Sequence, residues 1–230
     1  MLQVKNLNIG YQQKEILSGL NFSIGKGELI GLVGSNGIGK STLLKTIIGT
    51  LKPLSGEVLL NERSVNVISQ NELSKLISIV LTDKLGGFNL TVFDIVASGR
   101  TPYLNAFGQL NEEDVKIVNE SLDTIGIRPI SQNYFDELSD GQKQKVLIAK
   151  SLAQQTPVIL MDEPTAFLDF ESRLQLFSLL KQLVKEQNKT IIVSSHDLDV
   201  LFRNVDKVLY LKGNEKYYFE ATEKIRQHFQ

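Results

Sequence analysis

The sequence predicts an α/β fold: a mixed, mainly parallel sheet with an antiparallel β region at its N-terminal end and a helical insert in the middle. Three observations carry that prediction. The apolar runs "GELIGLVG", "PVILMD" and "KTIIVSS" have the length and composition of buried strands and alternate with helix-spaced segments, as in a parallel sheet joined by crossovers. The first 35 residues read as strands with no helix between them. From roughly Ser69 to Tyr134 the pattern changes to helices with polar caps.

Taken in order, "LQVKNLNIGY" alternates apolar and polar residues and "EILSGLNFSI" follows as a second strand. "GELIGLVG" is a buried run ending in glycine. "KSTLLKTIIG" has helix spacing and stops at Gly49, and "LKPLSG" is a turn leading to the strand and turn of "EVLLNERSV". In the middle, "SQNELSKLI", "TVFDIVASG" and "NEEDVKIVNESLDTIG" read as helices, with "LISIVL" a strand after the first. In the last helix Asn111 caps, three acids fill the first turn, and Val115, Val118, Leu122 and Ile125 form the expected apolar stripe before Gly126. A helix from Ser139, the strand "PVILMD", the helix "ESRLQLFSLLKQLVKEQN", the strand "KTIIVSS" and a short helix follow. "KVLYLKGNEKYYF" is a hairpin candidate turning at Gly213-Asn214, and the tail adds a final helix.

Composition narrows the possible activities. The 230 residues suit one large domain or one core with an inserted subdomain, and 42% apolar with 22% charged residues is ordinary for a globular chain. A net charge of −1 gives no basic field for nucleic acid. With no cysteine, disulfides and thiolate metal sites are excluded. The N-terminal stretch lacks the charged-then-apolar pattern of a signal segment, and no apolar run approaches the ~20 residues that cross a bilayer. Any link to a membrane is therefore expected through a partner.

"GSNGIGKST", Gly34 to Thr42, matches G-x-x-x-x-G-K-[ST] between a strand and a helix. Gly34, Gly37 and Gly39 let the backbone N–H groups of Ser35, Asn36 and Ile38 turn inward around a polyphosphate. Lys40 adds a positive charge for the β and γ phosphates, the Ser41 hydroxyl is placed for Mg²⁺, and the dipole of the helix beginning there adds to the attraction. The expected core is that of a P-loop NTPase, with ATP and Mg²⁺ as ligands.

Asp162 and Glu163 end an apolar strand, the edge at which ligands of parallel sheets gather. Asp162 can hold Mg²⁺ through water, and Glu163, one residue on, can orient or deprotonate the water attacking the γ-phosphate. His196, after "IIVSS", falls on the same edge within reach of that phosphate. Tyr11 closes the first strand and is a candidate to stack on adenine. "ELSDGQKQKV" is harder to place: Ser139 and Gln142 read as a capping box, yet no catalytic acid, histidine or cysteine lies close by.

Together these residues resemble the ATP-binding subunits of ABC transporters over nearly the whole chain. Tyr11 resembles the aromatic A-loop, "GSNGIGKST" the Walker A motif, "LSDGQ" the LSGGQ signature and "VILMDEPT" the Walker B motif with its glutamate. "AFLD" resembles the D-loop ending at Asp169, and His196 the switch histidine. The resemblance implies one ABC ATPase domain over residues 1–230, with a helical subdomain at about 82–155. It also implies a head-to-tail dimer of two copies, in which Ser139, Gly141 and Gln142 close over the nucleotide held by the other copy's phosphate loop. ATP joins the dimer, hydrolysis releases it, and the motion drives polytopic permease subunits and, through them, a substrate-binding protein. The implied location is cytoplasmic, peripheral on the inner face of the cell membrane.

"NLTVFDIVASGRTPY", with Arg100 and Tyr103, is similar to the branch that imports iron-siderophores, haem and cobalamin. Two other readings share the core motifs: a soluble ATPase working on an assembly scaffold of the iron–sulfur cluster type, and a weakly active regulatory ATPase. The chain departs from the family twice. Asp140 replaces the first glycine of the signature, setting a carboxylate near a polyphosphate. Thr82 stands where the family has a glutamine serving Mg²⁺ and the permease contact; its hydroxyl can meet a metal-bound water but has a shorter reach. ATP binding should survive this change, with metal geometry or coupling altered. Thr82→Gln is therefore expected to shift the ATPase rate or transport, and unchanged values of both would refute that role.

Overall fold

The structure, a computed structural model, describes residues 1–12, 14–81, 89–105, 107–213 and 216–229. The expected metal contact of Thr82 and the Asn214 half of the hairpin turn lie outside them. In chain order come β1 (Leu2–Tyr11), β2 (Lys14–Ile24), β3 (Leu29–Gly34), α1 (Lys40–Ile47), β4 (Ser55–Leu60) and β5 (Arg63–Ser64). Then follow α2 (Gln70–Ser74), β6 (Ile77–Val80), α3 (Val92–Ala97), α4 (Glu112–Ile125) and α5 (Asp140–Ala153). The remainder is β7 (Val158–Met161), α6 (Phe170–Gln187), β8 (Thr190–Ser194), α7 (Leu198–Phe202), β9 (Lys207–Leu211), β10 (Tyr217–Ala221) and α8 (Thr222–Ile225).

Two sheets form. The smaller is antiparallel in the order β2-β1-β4-β5, and the larger runs β10-β9-β3-β8-β7-β6. Pairs from β9 to β6 are parallel, and only the edge pair β10–β9 is antiparallel. The expected mixed, mainly parallel sheet with an antiparallel N-terminal region is thus present. The central strands are apolar throughout because both faces are covered. Leu160 and Ile192 face the core shared with the small sheet and α1, while Ile159, Met161, Ile191 and Val193 face the core under α6 and α7. Tyr217 clasps the two sheets: its Oη accepts from Asn21 N at 2.8 Å and donates to Asn21 O at 2.8 Å. No helix among the described residues is long and apolar enough to cross a membrane.

A third core joins α3, α4 and α5 around Val96, Val118, Leu122, Phe135 and Val146. Here the expected stripe on α4 is corrected. Val118 and Leu122 are buried as expected, but Val115 is 36% exposed while Ile117 is 6% exposed, and Asp114 and Ser121 turn inward. The cause is a buried ion pair that draws a polar residue into the layer and rotates the helix face. Arg100 Nε donates to Asp114 Oδ1 at 2.9 Å, and both side chains are almost wholly buried. Arg100 comes from a tight 3₁₀ segment, Ser98–Tyr103, that continues from α3 through Pro102. That segment lies hard against α5, since a Cβ on Gly99 would overlap the Lys150 carbonyl oxygen. Ile117→Ala should cost about 2–5 kcal/mol in urea unfolding, whereas Val115→Ala should stay within ~0.5 kcal/mol.

Candidate nucleotide site

Strand order builds the site. In the large sheet β8 lies between β3 and β7, so the ends of three neighbouring parallel strands form one lip. The phosphate loop leaves β3, the acid pair leaves β7, and Ser194 ends β8. In the loop, Gly37 has φ 76° and Gly39 has φ 114°, both in the region that favours glycine. Gly39 is also sterically required: a Cβ there would lie 2.7 Å from Ile16 Cγ2. It precedes α1 with no side-chain cap, which leaves the first N–H groups of that helix directed at the mouth.

The Lys40 ammonium sits in this mouth at 5% exposure. It donates to Gly34 O at 2.9 Å and Ser35 O at 3.3 Å, and lies 3.9 Å from Glu163 Oε1. Burial pushes its pKa below the ordinary lysine value, against the opposing pull of Glu163 and Asp162. An anion placed here offsets that desolvation cost.

Asp162 is nearly buried and receives two hydroxyls: Ser41 Oγ donates to Oδ2, and Ser194 Oγ donates to Oδ1 at 2.7 Å. Ser194 Oγ also accepts from Glu163 N at 2.8 Å. Glu163 has φ 51°, a conformation that costs a non-glycine residue about 1–3 kcal/mol and that recurs at functional sites. The bend turns the Glu163 carboxylate toward His196, whose Nε2 lies 2.7 Å from Oε1. Ser41 Oγ and Asp162 Oδ2, hard oxygen donors in direct contact, fit a magnesium site.

The remaining expected residues lie at the margins. Tyr11 is 49% exposed and lines an open cavity of about 440 Å³ with Lys45, Ile48, Thr50, Leu51, Ile79 and Leu81. That volume lies within the range of small-ligand pockets. Asp169 caps α6, and the N–H and hydroxyl of Ser172 hold its carboxyl below the usual carboxylate range. Ser139 caps α5 in the expected box: Gln142 N donates to Ser139 Oγ at 3.3 Å, and Ser139 N to Gln142 Oε1 at 3.0 Å. Asp140 is exposed in the first turn, where the helix dipole favours a negative charge. Gly141 packs beside the D-loop, where an added Cβ would lie 3.2 Å from Phe167 O. Among the described residues, no hydrogen bond or ion pair joins Ser139, Gly141 or Gln142 to the phosphate loop. Ser139 caps a helix whose first residues, Ser139 and Asp140, are exposed.

A phosphate loop, a hydroxyl–carboxylate pair and a strained glutamate on one sheet edge define a nucleoside-triphosphate hydrolase. Residues 17–166 match the ABC transporter family, and the chain belongs to that family and is an ATPase of it. It is 40% identical to an ABC transporter ATP-binding protein of Methanocaldococcus jannaschii, over 98% of this chain and 78% of that protein. It is 38% identical to the iron(3+)-hydroxamate import ATP-binding protein of Bacillus subtilis, over 92% of this chain and 78% of that protein. Among solved structures it superposes with TM-score 0.85 and 31% identity on a dimeric ATP-binding cassette in a post-hydrolysis state bound to ADP and phosphate. That likeness covers 96% of this chain and 99% of the other.

Sequence reasoning missed Ser194. The signal was present in "IIVSSHD", two residues before His196, but its meaning depends on β8 lying between the other two strands. Ser194→Ala leaves Glu163 N–H and one Asp162 oxygen without their partner. It should cost about 1–3 kcal/mol of stability and lower ATP hydrolysis more than ATP binding, as read by thermal unfolding and steady-state kinetics.

Proposed function

We propose that this chain is the ATP-hydrolysing subunit of an importer for an iron-siderophore, haem or cobalamin, working as a head-to-tail pair on membrane permease subunits. The single observation that carries the reading is the lip itself: Lys40, Ser41, Asp162, Glu163 and His196 converge there, while the capped end of α5 is exposed. The import reading is supported by the named activity of the Bacillus subtilis relative and by the "GRTPY" segment after α3.

In this mechanism Gly34 to Thr42 wrap the phosphates of ATP with backbone N–H groups, and Lys40 leaves its carbonyl partners for the β and γ oxygens. Ser41 and Asp162 would hold Mg²⁺, with Thr82 as a further oxygen donor acting through water. Bound magnesium supplies charge neutralisation on the phosphates. Glu163 orients the attacking water and takes its proton, a role worth about 10²–10⁴ in rate. His196 fixes the Glu163 carboxylate and reaches the γ-phosphate. Tyr11 stacks on adenine. A second copy supplies Ser139, the Gly141 backbone and Gln142 to the γ-phosphate, with Asp169 beside the junction, and the dipole of α5 adds to the attraction.

The chain acts as one ABC ATPase domain, with residues at about 82–155 as the helical subdomain that carries the signature. It sits on the cytoplasmic face of the membrane, held there by its permease, and works through a substrate-binding protein on the far side.

Glu163→Gln is expected to trap a MgATP-bound dimer in sedimentation, while Lys40→Ala abolishes hydrolysis. An unchanged rate in Glu163→Gln removes Glu163 as the base. Co-purification from detergent extract with a polytopic membrane protein supports the importer, whereas capture of soluble partners alone supports an assembly scaffold instead.

A further inference from the structure

The "GRTPY" segment marks a resemblance, but the mechanism above gives its arginine nothing to do. We infer that Arg100 is a positioning residue for the signature helix, fixing the angle at which α5 presents Ser139 to a nucleotide held by a second copy. The inference rests on the proposed composite site.

Arg100 stands where the 3₁₀ segment, the start of α4 and the end of α5 meet, and it is 4% exposed. Its Nε donates to Asp114 Oδ1 at 2.9 Å in the first turn of α4. Its Nη1 donates to Ala153 O at 2.8 Å, the last residue of α5, and to Gln155 Oε1 at 3.1 Å. A positive charge against these terminal carbonyls also complements the helix dipole. The guanidinium lies 4.0 Å over the Tyr103 ring, and Tyr103 Oη donates to Gln154 O at 3.0 Å. Asp114 is held in turn: its Oδ2 accepts from Asn111 N at 3.1 Å, so the carboxylate cannot turn away without uncapping α4.

The base of α5 is tied to α2 and to strand β6 as well. Gln154 Nε2 donates to Ser74 O at 2.6 Å, and the Ser78 and Ser151 hydroxyls lie 2.7 Å apart. All these contacts gather near the C-terminal end of α5, and Ser139 caps the opposite end. A 14-residue helix is about 21 Å long, so a tilt of ~3° at its base moves its tip by ~1 Å. A displacement of about 1 Å at a reacting group can cost ~10²-fold in rate. Arg100 thus acts at a distance, through the stiffness of one helix.

The test compares Arg100→Lys and Tyr103→Phe with the parent chain, with and without Glu163→Gln. Lysine keeps a charge but lacks the planar fork whose Nε reaches Asp114 while its Nη1 reaches Ala153 and Gln155. Four quantities are read: affinity of the monomer for a fluorescent ATP analogue, MgATP-driven dimerisation in sedimentation, kcat against KM, and thermal stability. The expected result for Arg100→Lys is nucleotide affinity within about 2-fold, with dimer dissociation and kcat each worsened by ~10-fold or more. Tyr103→Phe should shift the same two quantities less, which keeps the test open should the lysine variant fail to fold. Unchanged dimerisation and kcat in the folded variants would overturn the inference. So would a loss of nucleotide affinity and thermal stability in step with kcat, which marks a structural role only. If the Glu163→Gln parent itself does not dimerise with MgATP, the composite site fails, and the inference with it.

Discussion

The carboxylate of Asp162 is the junction on which the site depends. One oxygen receives the hydroxyl that opens α1, and the other receives the hydroxyl that ends β8. Residues 41, 162 and 194 are thereby drawn into one cluster from three separate parts of the chain. Nothing local holds them there. They meet because three parallel strands, buried on both faces, end side by side. Hydrophobic pairing of Ile159, Ile191 and their neighbours thus sets the placement of a polar cluster. The cluster in turn satisfies groups that would be costly to leave buried and unpaired.

What the sequence discloses follows from the range of the interaction. Strand runs, the phosphate loop and the Ser139–Gln142 box are local patterns, and each reappears where the residues place it. Ser194 was not legible, because a serine after an apolar run acquires a role only once the strand order is known. The face of α4 was misread for a related reason. Val115 and Ile117 both fit helical spacing, and the choice was made by Arg100, fourteen residues before its partner Asp114 and on a different element. Arg100 and Tyr103 were legible as a motif but not as contacts, since their partners lie at the far end of α5.

Two features show local preference yielding to the site. Glu163 accepts a left-handed backbone that most residues avoid, and the Ser194 hydroxyl and the His196 ring hold the consequence in place. Lys40 accepts a desolvated position in which main-chain oxygens and the carboxylates of Glu163 and Asp162 offset part of its burial cost. Both residues sit where a polyphosphate would bring the missing compensation, as expected when binding rather than folding selects the geometry.

The pairing of β3 has a further consequence, for biosynthesis. Both neighbours of the strand that bears the phosphate loop, β8 and β9, are drawn from beyond residue 189. A nascent chain emerging from the ribosome can close its first antiparallel sheet early, yet its nucleotide pocket must wait for non-local contacts with strands made after residue 189. The sheet that presents the phosphate loop therefore closes only after the strands beyond residue 189 have been made.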